Sequence, residues 1–321
     1  GSVYTLVADQ TVASLRGVLK TVVAGRWPKP ERRRLEGCTE AISVSVHSFY
    51  TLPGALQLRD ALQDFHQGHL IVNIAEMPIK CLVAPIEFVF LADYFFHLRG
   101  ERDKVRISLL TPNPGAFSKP NTNRVLTKIA ADKHIDIVPN FEIERVDAAN
   151  TTIHAFNGDS LSYDLLTIVA PIRGPTVLPE ACLANDMNYG LTDHRTLKSK
   201  VADNIYFIGD NTDLPTSEAG AVAHFEAETV VNNLLRESDG KIAKPTFDGH
   251  ANCFIESGSH KALLIDFNCK VEPLPGSFPM RYIGPFSLLE ETFANHFGKM
   301  ARNGIYWHLI VSGSTPEMPF V

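Results

Sequence analysis

The sequence predicts an α/β fold: a doubly wound, Rossmann-like sheet with an inserted antiparallel β-meander and a C-terminal helical tail. Near-continuous apolar runs at 70–74 and 105–110 are typical of parallel strands that are buried on both faces. Helical patterns alternate with these runs along the chain, as in a doubly wound sheet. Between residues 142 and 156 polar and apolar residues alternate instead, which predicts the meander.

The regular pattern of the first half begins near Val46. Thr51 is the expected cap of a helix that has Pro53 in its first turn and stops at Gly68. Strand, helix, strand, helix and strand are then predicted in that order: 70–74, 84–97, 105–110, a capped helix at 121–133, and 135–138. The meander strands follow at 142–147 and 152–156, with a tight turn at 157–159.

The second half continues with strands, one long helix and a hairpin. Their predicted bounds are 165–169 and 205–208 for the strands, 216–235 for the helix, and 251–256 with 261–267 for the hairpin. The aromatic-rich tail from 286 to 311 is predicted to be helical.

Composition excludes several classes of protein. The chain has 321 residues and a formal net charge of −6, which disfavours binding to nucleic acid through phosphate contacts. No apolar run approaches the roughly 18 residues of a membrane-spanning helix, and no signal peptide is visible at the start of the sequence. A cytoplasmic protein is therefore the expectation, which would contact the inner face of the cell membrane only through the tail described below.

The five cysteines fit neither a disulfide scaffold nor a metal site. An odd count without a C-x-x-C pair is not a disulfide framework in a chain of this length, and no spacing matches zinc. We therefore expect no metal. Cys38, Cys182 and Cys269 are interpreted as ordinary core or surface residues.

A glycine and an aspartate end one of the predicted parallel strands. Gly209 and Asp210 follow the apolar run 205–208, at the sheet edge where open α/β folds bind ligands. Glycine lets a ligand approach the backbone, and the carboxylate accepts hydrogen bonds from sugar-like hydroxyls. Ala219 and Gly220 follow at a predicted helix, where small residues let a ligand approach its N–H groups. A plain strand-end turn is the alternative interpretation.

Cys81 lies between a predicted strand and a predicted helix, beside Lys80. A helix N-terminus and a neighbouring cation both lower a thiol pKa and favour the nucleophilic thiolate. Cys253 lies within a predicted strand, where a cysteine is usually a core residue. Only proximity of Cys253 to Cys81 in space would give it a function, so both interpretations remain open.

Four carboxylates offer a different chemistry. Asp210, Glu218, Glu226 and Glu228 follow one strand end and the helix after it. Two carboxyls about 5–10 Å apart would serve as acid and base on a glycosidic bond. The alternative interpretation is a set of ligand contacts next to a solvated helix face.

The tail repeats apolar residues at helical spacing and then turns aromatic. Lys299 and Arg302 interrupt the apolar positions, and Tyr306 and Trp307 follow them. Such a segment either packs on its own core or a partner subunit of a homo-oligomer, or lies on a bilayer surface through residues 286–311.

Together these motifs resemble the sulfide:quinone oxidoreductase family, flavin-dependent proteins of the pyridine nucleotide-disulfide reductase fold. The resemblance extends from about 46 to 313. It is carried by five segments: Met77-Pro78-Ile79-Lys80-Cys81, Gly209-Asp210, Pro215-Thr216-Ser217 with Ala219-Gly220, residues 223–228, and residues 284–290.

The resemblance implies an enzyme that passes two electrons from sulfide to a quinone through a cysteine pair and FAD. Cys81 and Cys253 match the redox cysteines, and Asp210 matches a flavin contact, near the helix that starts at Ala219. The aromatic tail matches the membrane-facing region. A flavin-free relative with another activity, such as the hydrolase above, or a non-catalytic membrane-surface module, is the alternative.

Three departures from the family affect these expectations. The chain contains no G-x-G-x-x-G, so the first FAD-binding β-α-β segment is expected to be missing. Leu82 replaces a common proline, and Glu218 replaces a usual lysine, which reverses the local charge. The expected segments are a remnant of the FAD domain at 1–45, a second dinucleotide-like domain at 46–170, a return to the FAD-type domain at 171–245, and a C-terminal region at 246–321.

Overall fold

The computed structural model describes residues 5–7, 46–280 and 284–310. Most of the expected first-domain remnant at 1–45, including Cys38, and Val311 at the end of the tail lie outside the described residues. The first elements in chain order are β1 (Thr5–Val7), β2 (Val46–His47), α1 (Leu52–Asp64), β3 (Gly68–Ile74), α2 (Ala84–Leu98), β4 (Val105–Leu110), α3 (Pro120–Asp132) and β5 (Ile135–Val138).

The remaining elements form the meander, a long helix and a C-terminal sheet with its helix. They are β6 (Ile143–Asp147), β7 (Thr152–Ala155), β8 (Ser160–Ser162), β9 (Leu165–Val169), α4 (Val177–Glu180), β10 (Ile205–Phe207), α5 (Gly220–Ser238), β11 (Ala251–Gly258), β12 (Lys261–Phe267), β13 (Gly276–Met280), β14 (Gly284–Leu288) and α6 (Phe293–Ile305). A short π-helical segment, Tyr306–Ile310, continues α6.

A five-stranded parallel sheet in the order β2-β9-β3-β4-β5 is the centre of the fold. The central strand β3 has five consecutive buried residues at its carboxyl end, and β9 is buried throughout, as expected for strands covered on both faces. One face packs on α2 and α3, and the other packs on the antiparallel meander β6-β7-β8. The predicted fold class is confirmed.

Two smaller sheets complete the described structure. Strand β1 pairs with β10 in parallel. The C-terminal sheet has the order β11-β12-β14-β13, and its first two strands join the same hydrophobic core as α2. Because β11 packs on α2, side chains of this strand lie close to the loop before α2.

The sequence placed most elements within a few residues. The hydroxyl of Thr51 accepts a hydrogen bond from the Gly54 N–H at 3.2 Å, so the predicted cap of α1 is confirmed. The predicted cap of α3 is wrong, because Lys119 at that position makes no side-chain capping bond.

Two predicted helices, the long helix and the tail helix, begin later than the sequence pattern predicts. Helix α5 begins at Gly220 and not at 216, because Glu218 forms an isolated parallel bridge with Lys80 and Ala219 is extended. The tail is not helical from 286, because residues 284–288 pair antiparallel with β13 over five positions. The helix starts only after Thr292, whose hydroxyl caps the Asn295 N–H at 3.0 Å.

Within the described ranges no helix combines the length and apolar character needed to cross a bilayer.

Candidate active site at a cysteine pair

Cys81 occupies the loop between β3 and α2, at the carboxyl edge of the parallel sheet. Its φ of 54° turns the chain sharply. The Ala84 N–H donates to the Cys81 carbonyl at 2.9 Å, and the Cys81 N–H donates to the Glu218 carbonyl at 2.6 Å. The loop is therefore fixed on one side to the start of α2 and on the other to the segment before α5.

Cys253 approaches Cys81 from the C-terminal sheet. It lies on β11, opposite Ile265 of β12. Both cysteines are free and partly buried, and their side chains are hydrogen-bonded to each other. The sequence left the role of Cys253 open, and the structure brings it to Cys81.

The two thiols differ in acidity. The hydrogen bond from Cys253 lowers the pKa of Cys81, and the N–H groups of Val83 and Ala84 at the start of α2 add to this effect against the cost of burial. The same hydrogen bond and burial raise the pKa of Cys253 well above its ordinary value. Cys81 is therefore the more acidic thiol of the pair, and Cys253 donates the hydrogen bond between them.

A group of carboxyls lies at the start of α5. Gly209, with a φ of 67°, follows β10, and its N–H donates to Glu226 Oε2 at 2.5 Å. Asp210 Oδ2 lies 3.3 Å from Lys80 Nζ. The cation next to Cys81 thus pairs with the aspartate that follows β10.

Burial keeps two of these carboxyls weakly acidic. Glu226 is 1% exposed, and burial, with repulsion from Asp210 and Glu218, raises its pKa to about 8 against the Gly209 hydrogen bond. Burial and Asp210 raise the pKa of Glu218 to about 7, although Lys80 and Tyr189 oppose the shift. Glu226 is therefore mostly protonated near neutral pH.

The N-terminus of α5 is open toward a ligand. Ala219 at the cap position makes no side-chain hydrogen bond. Gly220 faces open space, since no atom lies within 4 Å of the position that a Cβ would occupy there. Because Cys81 bonds to the backbone of Glu218, this open terminus is adjacent to the cysteine pair.

A cavity of about 430 Å³ borders the loop that carries Cys81. Met77, Leu82, Met187 and Tyr189 are among its lining residues, together with the exposed Cys269. Its size and mainly apolar lining are typical of a small-molecule site.

The other predicted site residues are not brought into the pair. Glu228 is exposed and lies 3.6 Å from His224 on the same helix. Cys182 is exposed. No group of potential metal ligands occurs within the part of the chain that the structure describes.

Sequence reasoning did not identify several residues around the site. The Tyr50 hydroxyl donates to the Lys80 carbonyl at 2.7 Å, and burial followed by the Cys81 charge raises its pKa. Glu87 and Lys299 form an ion pair beside the cysteines. The one available signal was the position of Glu87 in the first turn of the helix that follows Cys81.

Comparison with known proteins finds similarity to sulfide:quinone oxidoreductases. No family model matches the chain. It is 23% identical over 290 residues to the mitochondrial sulfide:quinone oxidoreductase of Mus musculus, and 25% identical over 293 residues to that of Schizosaccharomyces pombe. Each alignment covers 87% of this chain and 62% of the relative, so the chain spans less than two thirds of their length. Nothing supports the hydrolase alternative.

Solved structures show the same fold. The sulfide:quinone oxidoreductase of Aquifex aeolicus superposes with a TM-score of 0.71 at 18% identity, covering 92% of this chain and 68% of that one. A ferredoxin reductase from Rhodopseudomonas palustris superposes with a TM-score of 0.51. The predicted resemblance is confirmed: by sequence over most of its length and by fold, this chain is related to the sulfide:quinone oxidoreductases of the pyridine nucleotide-disulfide reductase fold.

Proposed function

We propose that this chain carries the redox site of a sulfide:quinone oxidoreductase, in which Cys81 and Cys253 alternate between a disulfide and a dithiol. The observation that carries the proposal is the contact between two cysteines from distant parts of the chain, with opposite shifts of acidity. A contact that served packing alone would not need a stabilised thiolate at a helix N-terminus.

The residues at the start of α5 fit the ring end of a flavin. The uncapped N-terminus of α5 and the open space at Gly220 leave room for a ligand beside the cysteine pair, and Gly209 with Asp210 would hold its ribityl chain. A bound flavin would supply a two-electron acceptor that a quinone can reoxidise. The sequence has no G-x-G-x-x-G, so the proposal concerns this end of the cofactor.

The difference in acidity sets the direction of sulfide attack. In thiol–disulfide exchange the thiolate of lower pKa leaves faster. Hydrosulfide therefore attacks Cys253 Sγ, the disulfide bond breaks, and Cys81 leaves as the thiolate. The sulfide sulfur and its proton remain on Cys253 as a persulfide.

A second hydrosulfide completes the sulfur balance. It takes the outer sulfur of the persulfide as HSS⁻, and its proton stays on Cys253. Closing the disulfide again removes one proton and two electrons from the Cys81 thiolate and the Cys253 thiol. Two HS⁻ thus give HSS⁻, H⁺ and two electrons, which the quinone finally accepts.

The test is an anaerobic assay of sulfide-dependent quinone reduction, together with the visible spectrum of the purified protein. We expect a flavin absorption band and a loss of activity of at least about 100-fold in both Cys81→Ser and Cys253→Ser, since each removes one half of the disulfide. Cys182→Ser is the matched control and retains activity. A folded, colourless protein that does not reduce quinone contradicts the proposal.

We further propose that α6 and the segment after it rest on a membrane surface. Phe293, Phe297 and Trp307 are 66%, 66% and 62% exposed, and an exposed apolar helix face beside a site that reduces a lipid-soluble quinone suits the bilayer interface. Phe293→Ser/Phe297→Ser is expected to abolish co-sedimentation with anionic vesicles, while Leu98→Ser, on α2, leaves it unchanged. Unchanged binding of the double variant contradicts this proposal, and a change of oligomeric state instead supports the predicted homo-oligomer.

A further inference from the structure

One carboxylate beside the cysteine pair opposes the thiolate. Glu87 lies in the first turn of α2, and its negative charge raises the pKa of both Cys81 and Cys253. The helix N-terminus and this carboxylate therefore act on Cys81 in opposite directions. If Glu87 were unpaired, the thiolate would lose part of the stabilisation that its position provides.

Lys299 of α6 compensates this carboxylate. Its Nζ lies 2.5 Å from Glu87 Oε1, and both side chains are largely shielded from solvent, with 24% and 21% exposure. The lysine charge also lowers the pKa of Cys253. An ion pair at this depth is weakly screened, so its effect on the thiols persists at physiological salt.

A second contact fixes the same helix over the pair. His296 Nδ1 lies 2.9 Å from Glu256 Oε2 on β11, and the Glu256 N–H donates to Glu87 Oε2 at 3.3 Å. Glu87 is thus held by β11 and α6 together. His296 reaches β11, which carries Cys253, and Lys299, three residues further along α6, reaches α2, which follows Cys81.

We propose that Lys299 is a positioning residue of the cysteine pair, which acts through Glu87 to keep the Cys81 thiolate available for redox chemistry. The proposal rests on the proposed function for the purpose of that thiolate, but not for the coupling itself. Any movement of α6 that separates Lys299 from Glu87 exposes the thiols to an uncompensated negative charge. The helix with the exposed apolar face would then also control the reactivity of the pair.

The groups that face the pair come from three parts of the fold. Glu87 faces it from α2, Lys299 from α6, and Tyr50 from the segment between β2 and α1. The Lys80 ammonium pairs with Asp210. A change in thiol acidity on replacing Lys299 therefore has Glu87 as its expected intermediary.

The experiment measures the rate of iodoacetamide alkylation against pH in the reduced protein, with Cys38, Cys182 and Cys269 replaced by Ser. Lys299→Gln is expected to raise the apparent pKa of Cys81 by about one unit, which slows alkylation about tenfold below that pKa. Glu87→Gln is expected to lower it. The double variant is expected to lie near the parent protein, because each charge acts through the other.

Arg302→Gln, on the same helix, is the matched control and is expected to leave the alkylation profile unchanged. Unchanged acidity in Lys299→Gln, or an equal shift in Lys299→Gln and in the double variant, overturns the inference, provided that circular dichroism shows folded protein. The assay needs neither sulfide nor flavin. The expected pattern in a protein that does not oxidise sulfide overturns the proposed function and supports the inference.

Discussion

The N-termini of α2 and α5 both lie at the site, but the ionisable groups beside them have pKa values shifted in opposite directions. At the start of α2 the N–H groups of Val83 and Ala84 stabilise the Cys81 thiolate. At the start of α5 no side chain caps the helix, and the nearby Glu218 and Glu226 have raised pKa values. A helix N-terminus therefore does not by itself decide a charge state. At α2 the hydrogen bond from Cys253 contributes most to the lowered pKa of Cys81 and the helix N–H groups add to it, whereas burial and mutual repulsion raise the pKa values of the carboxyls.

Two contacts join the region of the cysteine pair to the region of the carboxyls. The Cys81 N–H donates to the Glu218 carbonyl, and Lys80 pairs with Asp210. The loop that carries Cys81 is thus bonded to the backbone of Glu218, whose carboxyl pKa of about 7 is suited to exchanging a proton near neutral pH.

The largest expected effect comes from removing the hydrogen-bond partner of Cys81. Cys253→Ala removes the hydrogen bond that contributes most to the acidity of Cys81. We expect the apparent pKa of Cys81 to rise and its alkylation near pH 7 to slow by about tenfold or more. The measurement is alkylation rate against pH, with Cys182→Ala as control. Faster alkylation in Cys253→Ala would show that Cys253 only shields its neighbour.

The next effect concerns the carboxyl side. The folded-state pKa of Glu226 is raised to about 8, so its contribution to stability is complete below about pH 4.5 and is lost as the pH rises through 8. Glu226→Gln removes this loss, because the amide stays neutral and its oxygen still accepts from Gly209. Denaturant unfolding at pH 6 and 8.5 is expected to show a smaller drop for the variant, by on the order of 2 kcal/mol. Glu228→Gln, at an exposed position, should behave like the parent chain, and an equal drop in Glu226→Gln would refute the assignment.

The smallest expected effect concerns the hydrogen bond between Tyr50 and the loop that carries Lys80. Tyr50→Phe removes the hydrogen bond to the Lys80 carbonyl and leaves the ring contact with Phe49 in place. A loss of about 1 kcal/mol in the free energy of unfolding is expected, together with a small change in Cys81 alkylation. Tyr94→Phe, on α2 where its ring contacts His260, provides the comparison. A stability equal to that of the parent would mean that this bond does not hold the loop.

The sequence was sufficient where periodicity and local chemistry decide the structure. The parallel strands, the meander and the hairpin follow from apolar runs and turn residues, and the helix start accounts for part of the lowered pKa of Cys81, whereas Lys80 pairs with Asp210. Long-range contacts decided the rest. The bridge between Lys80 and Glu218 delays α5, and pairing with β13 converts residues 284–288 into a strand. The partners of Cys81 and Glu87 lie far along the chain, so no local pattern identified the cysteine contact or the role of Lys299.

The most direct test of the account is peptide mapping of the protein after oxidation and one equivalent of sulfide under anaerobic conditions. The account predicts a Cys81–Cys253 disulfide before sulfide is added, and afterwards a persulfide on Cys253 with Cys81 free. A persulfide on Cys81, or the absence of the disulfide in folded, oxidised protein, would contradict it.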